Sequence, residues 1–260
     1  MTNQTASSPA HSVALITGAS DRIGAAIAHH LAGAGHAVVI HYRANAEGAR
    51  AVRADIVAAG GRAAIVKADL ARRNQRATLV ERATRPFGPL TVLVNNASLF
   101  DPDSARDLDE DQWDRHFAIH AEAPVFLARD FAAQLPAGAK GNIVNIIDER
   151  VLHLSPAYFS YTLSKSVLWT ATRTLAQSLA PDIRVNAVGP GPVLPHSRQD
   201  QAAFDKQVAT LPLQRHAGPD EIATGVMMVL QMPSMTGQML ALDGGQHLDY
   251  AARRGPTPRS

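Results

Sequence analysis

The sequence predicts one α/β domain built on a doubly wound parallel sheet with helices on both faces. Two observations support this prediction. Short runs of consecutive apolar residues alternate with stretches of helical apolar spacing, and no linker, repeat or change in composition divides residues 11–250. Strands that are apolar at consecutive positions are buried on both faces, which is typical of parallel sheets. We expect residues 1–10 to form a disordered arm and residues 251–260 a C-terminal tail.

Four strands and three helices are predicted in the first half of the chain. The apolar runs that predict the strands lie at 13–17, 37–42, 62–67 and 90–94. The helical spacing lies at 23–34, then up to about residue 59, and then near 72–85. Gly60 and Gly61 stop the second of these helices, and Pro86 follows the third.

The second half of the chain continues the same alternation. Its apolar runs predict strands at 142–147, 183–188 and 239–242, and its helical spacing lies near 108–135, 157–180, 199–210 and 219–231. Doubly wound sheets bind their ligands beyond the carboxyl ends of the strands. We therefore expect the chemistry of this protein in the loops that follow the strands.

The composition excludes several classes of function. The 260 residues include no cysteine, which rules out disulfides, thiolate metal sites and a cysteine nucleophile. The net charge is +2, the basic residues are scattered and aromatic residues make up only 5%, so we expect no nucleic-acid partner. The histidines show no metal-ligand pattern, and the sequence shows neither a signal peptide nor an apolar span of about 18 residues. We expect a soluble, cytoplasmic protein without a metal or a membrane partner.

The glycine turn after the first strand predicts a nucleotide site. It reads Thr17-Gly18-Ala19-Ser20-Asp21-Arg22-Ile23-Gly24. Gly18 permits the tight turn and Gly24 lets the helix pack on the strand, while the backbone N–H groups that open the helix face a pyrophosphate. A plain strand–turn–helix is the alternative interpretation of this pattern.

The end of the second strand predicts NADPH rather than NADH. A carboxylate about 20 residues after the glycine turn usually holds the ribose 2′-OH of NADH. Residues 41–46 contain no carboxylate, whereas Arg43, and Arg22 from the turn, can reach a 2′-phosphate. The alternative is two exposed arginines in an arginine-rich chain. Asp69, at the end of the third strand, either accepts from an adenine amino group or caps the next helix.

A tyrosine and a lysine in the long helix at 157–180 predict a proton donor. Tyr161 and Lys165 are spaced i and i+4, so they lie on one helix face about 6 Å apart at Cβ. An ammonium beside a phenol favours the phenolate, so we expect Lys165 to lower the pKa of Tyr161. Asp148 follows the fifth strand, at its carboxyl end, upstream of this pair.

These motifs, in this order, resemble the short-chain dehydrogenase/reductase family over about residues 11–248. The matching segments are the glycine turn, Asn95-Asn96-Ala97, Tyr161 with Lys165, Asn186 with Pro190-Gly191, and Leu242-Asp243-Gly244-Gly245. The resemblance implies a Rossmann-type sheet, a nicotinamide cofactor, hydride transfer and, commonly, a homotetramer. It also implies that Tyr161 donates the proton, while Lys165 holds the nicotinamide ribose and tunes the tyrosine.

The departures from the family pattern resemble its pteridine reductase branch, which includes bacterial dihydromonapterin reductases. Asp148 replaces the usual serine, Ser98 the usual glycine, and Arg22 a common glycine. Phe100 fits the same branch, and so does His120, which takes the place of the family's helix asparagine and which we expect to be structural. The resemblance implies that the aspartate works with the catalytic tyrosine, that the arginine and the serine contact cofactor phosphate or pterin, and that the phenylalanine stacks on the pterin ring.

The chemistry of Asp148 favours the same substrate class. Ketone reduction builds an alkoxide, which an ionised Asp148 would repel. Reduction of a ring C=N bond instead needs a proton on nitrogen, which a buried carboxyl beside Tyr161 can supply or relay. Phe100 opposite the nicotinamide would form a flat slot for a planar heteroaromatic ring. The alternatives are that Asp148 only caps or forms an ion pair and that Phe100 is only a wall residue.

The sequence therefore predicts an NADPH-dependent reductase of a pterin or dihydropterin. A carbonyl reductase of the 3-oxoacyl or sugar type and a non-catalytic NADP(H)-binding regulator are the alternatives. We expect catalysis by Asp148, Tyr161 and Lys165, and substrate contacts from Ser98, Phe100, Asp148 and Tyr161. The expected cofactor contacts are Gly18, Ser20, Arg22, Ile23, Gly24, Tyr42, Arg43, Asp69, Leu70, Asn96, Ala97, Ser98, Tyr161, Lys165, Pro190 and Gly191.

Overall fold

The computed structural model describes residues 12–195 and 199–248. The arm expected at 1–10 and the tail expected at 251–260 lie outside the described residues. Within them, a seven-stranded parallel sheet has the order β3-β2-β1-β4-β5-β6-β7. The order reverses at β1, as in doubly wound sheets, and the predicted fold class is confirmed.

The strands lie close to their predicted positions. Their bounds are Val13–Ile16 (β1), Ala37–Tyr42 (β2), Arg62–Lys67 (β3), Val92–Asn95 (β4), Gly141–Ile146 (β5), Ile183–Pro190 (β6) and Met239–Leu242 (β7). In the sheet, Leu15 lies opposite Val39 on one side and Leu93 on the other. Because every pair is parallel, the carboxyl ends of the strands meet at one edge of the sheet.

Nine α-helices connect these strands in the described ranges. Their bounds are Arg22–Gly33 (α1), Ala46–Ala58 (α2), Arg73–Arg76 (α3), Leu79–Thr84 (α4), Glu110–Phe117 (α5), Ala123–Gln134 (α6), Phe159–Leu179 (α7), Gln201–Ala209 (α8) and Pro219–Gln231 (α9). A π-helical turn, Ala118–Glu122, joins α5 to α6. Short 3₁₀ turns span Glu149–Val151 and Gln246–Leu248. No helix in this part of the chain is long and apolar enough to cross a membrane.

The prediction of one helix near 72–85 is wrong, because two short helices occupy this segment. The guanidinium of Arg76 at the end of α3 is buried, where it donates to the Leu70 carbonyl at 3.2 Å and pairs with Glu122 at 3.0 Å. The next helix instead buries the apolar side chains of Leu79 and Val80. Because α3 is held by the buried Arg76 and α4 by its apolar side chains, the helix is interrupted at Thr78.

The core lies on both faces of the sheet, as expected for strands that are apolar at consecutive positions. Ala14 and Ile16 of β1 pack in the cluster that contains Ile27 of α1. Val13 and Leu15 point to the opposite face and pack in the cluster that contains Phe131 of α6. Each fully buried large side chain contributes about 1.5–3 kcal/mol of hydrophobic stabilisation. The strands whose ends carry the site are thus packed against helices on both faces of the sheet.

Candidate active site

The carboxyl ends of the strands open onto a cleft of about 840 Å³ at the point where the strand order reverses. The cleft brings together most of the residues predicted for the site: Gly18, Ser20, Arg22, Ile23, Gly24, Arg43, Leu70, Asn96, Ala97, Ser98, Phe100, Asp148, Tyr161, Lys165, Pro190 and Gly191. Tyr42 and Asp69 are not among its lining residues. The Asp69 carboxylate instead accepts from the backbone N–H of Ala71 at 3.1 Å and lies 3.5 Å from Arg72.

The glycine turn forms one end of the cleft and leaves no room for larger residues. Gly18 has a φ of +62°, and a Cβ at this position would lie 2.8 Å from the Cα of Ala97. A Cβ on Gly24 would lie 2.3 Å from the carbonyl oxygen of Gly18. The side-chain amide of Asn96 donates to that same carbonyl at 2.9 Å and so joins the end of β4 to the turn. The backbone at the start of α1 is thereby open to a phosphate group.

His41 supports this turn from the end of β2, a role that the sequence pattern did not predict. The backbone N–H of Gly18 donates to Nδ1 of His41 at 3.0 Å, so Nε2 carries the proton and donates to the Ala68 carbonyl at 3.1 Å. Burial lowers the pKa of His41 to about 4, which keeps the ring neutral near neutral pH. The histidine thereby ties the ends of β2 and β3 to the glycine turn.

Two arginines lie at the same end of the cleft. Arg43 follows β2 and lines the cleft. Arg22 has a φ of +51°, a backbone conformation that favours the glycine common at this position, and its guanidinium donates to the Pro195 carbonyl at 3.2 Å. This backbone conformation places the Arg22 side chain on the lining of the cleft, where an anionic group can bind.

Replacing Arg43 with Ala is expected to weaken NADPH binding by ~10-fold or more, because a hydrogen bond to a charged group contributes about 1.5–3 kcal/mol. NADH affinity should change less than about twofold, since NADH has no 2′-phosphate. Isothermal titration of both cofactors measures the ratio. Arg53→Ala, which removes an exposed arginine outside the cleft, is the matched control. An equal loss of affinity for NADPH and NADH would contradict a contact between Arg43 and the 2′-phosphate.

The other end of the cleft joins Tyr161 of α7 to Asp148 after β5. The phenol of Tyr161 donates to Oδ2 of Asp148 at 2.7 Å. Burial, together with the adjacent Asp148 carboxylate, raises the pKa of Tyr161 well above its ordinary value. Ser98 also interacts with the phenol and acts in the opposite direction on this pKa. The arrangement therefore keeps the proton on Tyr161.

Lys165 lies one helical turn beyond Tyr161 but does not act on the phenol as expected. Its ammonium is buried, donates to the Ile146 carbonyl at 2.8 Å, and lies 5.7 Å from the centroid of the Tyr161 ring. Burial lowers the pKa of Lys165 to about 8, an effect that Asp148 partly opposes. The prediction that Lys165 lowers the pKa of Tyr161 is wrong for this arrangement, because burial and Asp148 dominate.

Arg150 and Tyr158 also line the end of the cleft that holds Asp148 and Tyr161, and the sequence pattern predicted neither of them as a site residue. Arg150 forms an ion pair with Asp148 at 3.2 Å. The ring of Tyr158 stacks on Phe100 with centroids 4.1 Å apart and an angle of 10° between the planes. Tyr158 has a φ of +57° just before α7, so a rare backbone conformation places its ring against Phe100. Neither residue belongs to a recognisable spacing pattern.

His120 connects the loop after β4 to α7. Its Nε2 accepts from the backbone N–H of Leu99 at 3.1 Å and lies 3.0 Å from the hydroxyl of Ser98. Nδ1 therefore carries the proton and lies 2.8 Å from the hydroxyl of Ser164. Burial, followed by the charges of Lys165 and His116, lowers the pKa of His120 well below its ordinary value. A neutral imidazole thus holds the Ser98 loop against α7, which agrees with the structural role expected for it.

The potential metal ligands do not converge in the described part of the chain. No group of three or more histidine, aspartate or glutamate side chains there is arranged to hold a metal ion.

Comparison with known proteins places the chain in one family. The family described as enoyl-(acyl carrier protein) reductase matches residues 18–247. A structure of FolM alternative dihydrofolate reductase 1 from Brucella canis, complexed with NADP, is 48% identical, with a TM-score of 0.90 over 96% of this chain and 98% of that one. A short-chain type dehydrogenase/reductase from Picea abies is 35% identical over 90% of this chain and 92% of its own length. A 3-oxoacyl-[acyl-carrier-protein] reductase from Synechocystis is 32% identical over 90% of this chain and 96% of its own length.

The fold and the motifs agree with these matches. Strands β2 to β7, the glycine turn from Gly18 onward and the Tyr161–Lys165 pair lie within the matched residues. The chain therefore belongs to the short-chain dehydrogenase/reductase family of oxidoreductases.

Proposed function

We propose that this protein is an NADPH-dependent reductase of a pterin or dihydropterin, such as dihydromonapterin, dihydrobiopterin or dihydrofolate. The observation that carries the proposal is the 2.7 Å hydrogen bond from the Tyr161 phenol to the Asp148 carboxylate. The substrate that best fits this phenol–carboxylate pair presents ring N–H groups and accepts a proton on nitrogen. The 48% identity to the NADP-complexed FolM structure from Brucella canis supports the same substrate class.

The residues of the cleft fit NADPH. The glycine turn and the start of α1 line the cleft and would hold the pyrophosphate with their backbone N–H groups. Gly18 and Gly24 allow this tight turn, because a Cβ on either would lie within 3 Å of a neighbouring backbone atom. Arg22 and Arg43 would hold the 2′-phosphate, and the buried ammonium of Lys165 would hold the nicotinamide ribose. When bound, NADPH supplies the hydride. The chain itself must position the ring to be reduced and provide the proton.

Two groups compete for the proton of Tyr161: the Asp148 carboxylate and a substrate nitrogen. In the structure the phenol donates to Asp148, and the phenol has only one proton. Donation to a substrate nitrogen therefore requires the O–H to turn away from Asp148, whose oxygen is then free to accept from a substrate N–H or amino group. A pterin provides both partners, so it exchanges one hydrogen bond for two. Phe100 and the stacked Tyr158 form an aromatic wall beside this pair, which favours a planar ring.

The same geometry disfavours a simple carbonyl substrate. Reduction of a ketone builds negative charge on oxygen next to the Asp148 carboxylate, and the two charges repel. A 3-oxoacyl thioester, the substrate class named for the Synechocystis relative, would develop its charge there. A non-catalytic binder has no use for a buried Tyr161–Lys165 pair, so both alternatives fit the cleft less well than a pterin.

Replacing Asp148 tests this assignment directly. Asp148→Ser is expected to lower kcat for dihydropterin by ~10²-fold or more, the usual contribution of a group that assists proton transfer. Its activity on a simple ketone should stay constant or rise, because the repelling carboxylate is gone. Asp148→Asn keeps the shape of the side chain but can neither take up a proton nor carry a negative charge. Its kcat should therefore fall more than its affinity for the substrate.

The measurement is steady-state NADPH oxidation by the wild type and both variants with a dihydropterin and with a ketone. The Kd for NADPH of each protein is the control, and it should change less than about twofold, within the scatter of a substitution that leaves cofactor contacts in place. Equal turnover of dihydropterin by all three proteins would refute the role of Asp148.

We also propose a cytoplasmic homotetramer, as expected for a member of this family. Exposed apolar side chains on neighbouring helices, Phe126 on α6 and Leu163 and Val167 on α7, support assembly. Light scattering during gel filtration measures the mass of the particle, and a monomer at micromolar concentration would contradict this proposal.

A further inference from the structure

Arg150 contacts both the Asp148 carboxylate and the aromatic wall formed by Phe100 and Tyr158. It lies in the 3₁₀ turn immediately after Asp148, and 19% of its side chain is exposed. Nη1 of its guanidinium donates to both carboxylate oxygens of Asp148, at 3.2 and 3.3 Å. Its backbone N–H donates to Oδ1 of the same carboxylate at 3.0 Å. Two of these three bonds converge on Oδ1, which leaves Oδ2 directed at the phenol of Tyr161.

The other side of the guanidinium contacts the aromatic wall. The central carbon of the guanidinium lies 5.3 Å from the centroid of the Phe100 ring and 5.4 Å from that of Tyr158. These distances are typical of a cation held by aromatic rings. Arg150 therefore links the carboxylate of the catalytic pair to the wall on which a planar substrate would lie.

The remaining charges around Asp148 do not replace this cation. From α7, Tyr161 donates a neutral hydrogen bond, and the ammonium of Lys165 is directed at the Ile146 carbonyl. From its own turn, Glu149 is buried beside Asp148, and burial followed by the Asp148 charge raises the pKa of Glu149 to about 8. Asp243, after β7, acts on Glu149 in the same direction. Arg150 is thus the cation that forms a direct ion pair with Asp148 in the described part of the chain.

We propose that Arg150 is a positioning and specificity-determining residue, which holds Asp148 as an anionic acceptor directed at Tyr161 and at the N–H edge of the substrate. This inference rests on the proposed function. With the carboxylate held as an anion, Tyr161 is the proton donor and Asp148 the acceptor, and the site selects rings that present N–H donors. Without the guanidinium, the carboxylate loses its paired charge and its fixed direction.

Replacing Arg150 should therefore affect substrates with N–H groups more than substrates without them. In Arg150→Gln the carboxylate is no longer held toward the N–H edge of the substrate, so KM for dihydropterin should rise by ~10-fold or more, the usual contribution of a hydrogen bond to a charged group. The kcat of this variant for a simple ketone, which presents no N–H group, should change less than about twofold. Arg150→Lys keeps the cation but not the planar guanidinium that lies against the two rings, so its KM for dihydropterin should lie between those of the wild type and Arg150→Gln. A residue that only supports the fold would lower both activities alike.

A second readout does not depend on activity. Isothermal titration in the presence of saturating NADP measures the Kd of an oxidised pterin, which presents ring N–H and amino groups but undergoes no turnover in this complex. This Kd should rise by ~10-fold or more in Arg150→Gln and by less in Arg150→Lys. Arg85→Gln, which breaks the exposed ion pair with Glu81, is the matched control and should leave both readouts unchanged.

The outcomes separate the two proposals. If the wild type fails to reduce any dihydropterin, the proposed function is wrong, and the Kd of the oxidised pterin still decides whether Arg150 positions Asp148 toward N–H groups. If the wild type reduces dihydropterin and Arg150→Gln keeps the wild-type KM for dihydropterin and the wild-type Kd for the oxidised pterin, the role of Arg150 is overturned by itself. If Arg150→Gln does not fold, the comparison of Arg150→Lys with the wild type decides in the same way.

Discussion

Replacing Tyr161 with Phe is expected to lower kcat by ~10²-fold or more, because general acid catalysis usually contributes 10²–10⁴-fold. The variant keeps the ring that contacts Phe100 and Lys165 but loses the proton that the structure holds in place. NADPH affinity should change less than about twofold, since the lost group acts on the substrate. Rapid-mixing measurement of single-turnover NADPH oxidation isolates this step from product release.

A matched tyrosine provides the control for this change. Tyr42→Phe removes a hydroxyl from a tyrosine outside the lining of the cleft and should leave kcat unchanged. A Tyr161→Phe enzyme with near-normal single-turnover rate would remove Tyr161 from the mechanism, whatever the substrate.

Replacing Glu149 with Gln is expected to make the stability of the protein less sensitive to alkaline pH. Glu149 is buried, its Oε2 has no hydrogen-bond partner, and its pKa is raised to about 8 by burial and by Asp148. A carboxyl whose pKa is higher in the folded than in the unfolded chain binds more protons when folded. The free energy of unfolding therefore falls as the pH rises from about 4.5 to about 8.

The size of this effect follows from the shift itself. One pKa unit corresponds to about 1.4 kcal/mol, so the loss by pH 9 is on the order of 3–5 kcal/mol. Glu149→Gln should be more stable than the wild type by about this amount at pH 9, with little difference near pH 4. Urea unfolding at both pH values measures it, and Glu81→Gln, at an exposed carboxyl, is the control. The same difference from the wild type at both pH values would show that Glu149 does not titrate in this way.

The sheet could be predicted because each strand is apolar at consecutive positions, and burial on both faces requires that pattern. The residues that line the cleft could be predicted where they follow strands, since parallel strands end at one edge. The position of Tyr42 could not. Side chains alternate along a strand, so His41 lines the cleft, as does Arg43 just beyond the strand, while Tyr42 between them does not.

The electrostatics around Tyr161 and Asp148 could not be predicted from the sequence, because they depend on the directions in which the side chains point. The spacing of Tyr161 and Lys165 places both on one helix face, but the ammonium is directed at the Ile146 carbonyl. Asp148 then dominates the charge around the phenol. The role of Arg150 arises from a 3₁₀ turn that brings a residue two positions after Asp148 back onto its carboxylate. No periodicity in the sequence marks such a turn.

The central claim is that Asp148 and Tyr161 form a site for ring nitrogen and not for a ketone. The most direct test is the ratio of kcat/KM for a dihydropterin to kcat/KM for a 3-oxoacyl thioester, measured with the wild-type protein at saturating NADPH. We expect this ratio to exceed ~10², because a site built to pair with substrate N–H groups rejects analogues that lack them by at least that factor. A ratio below one, or the absence of any dihydropterin turnover, would contradict the claim.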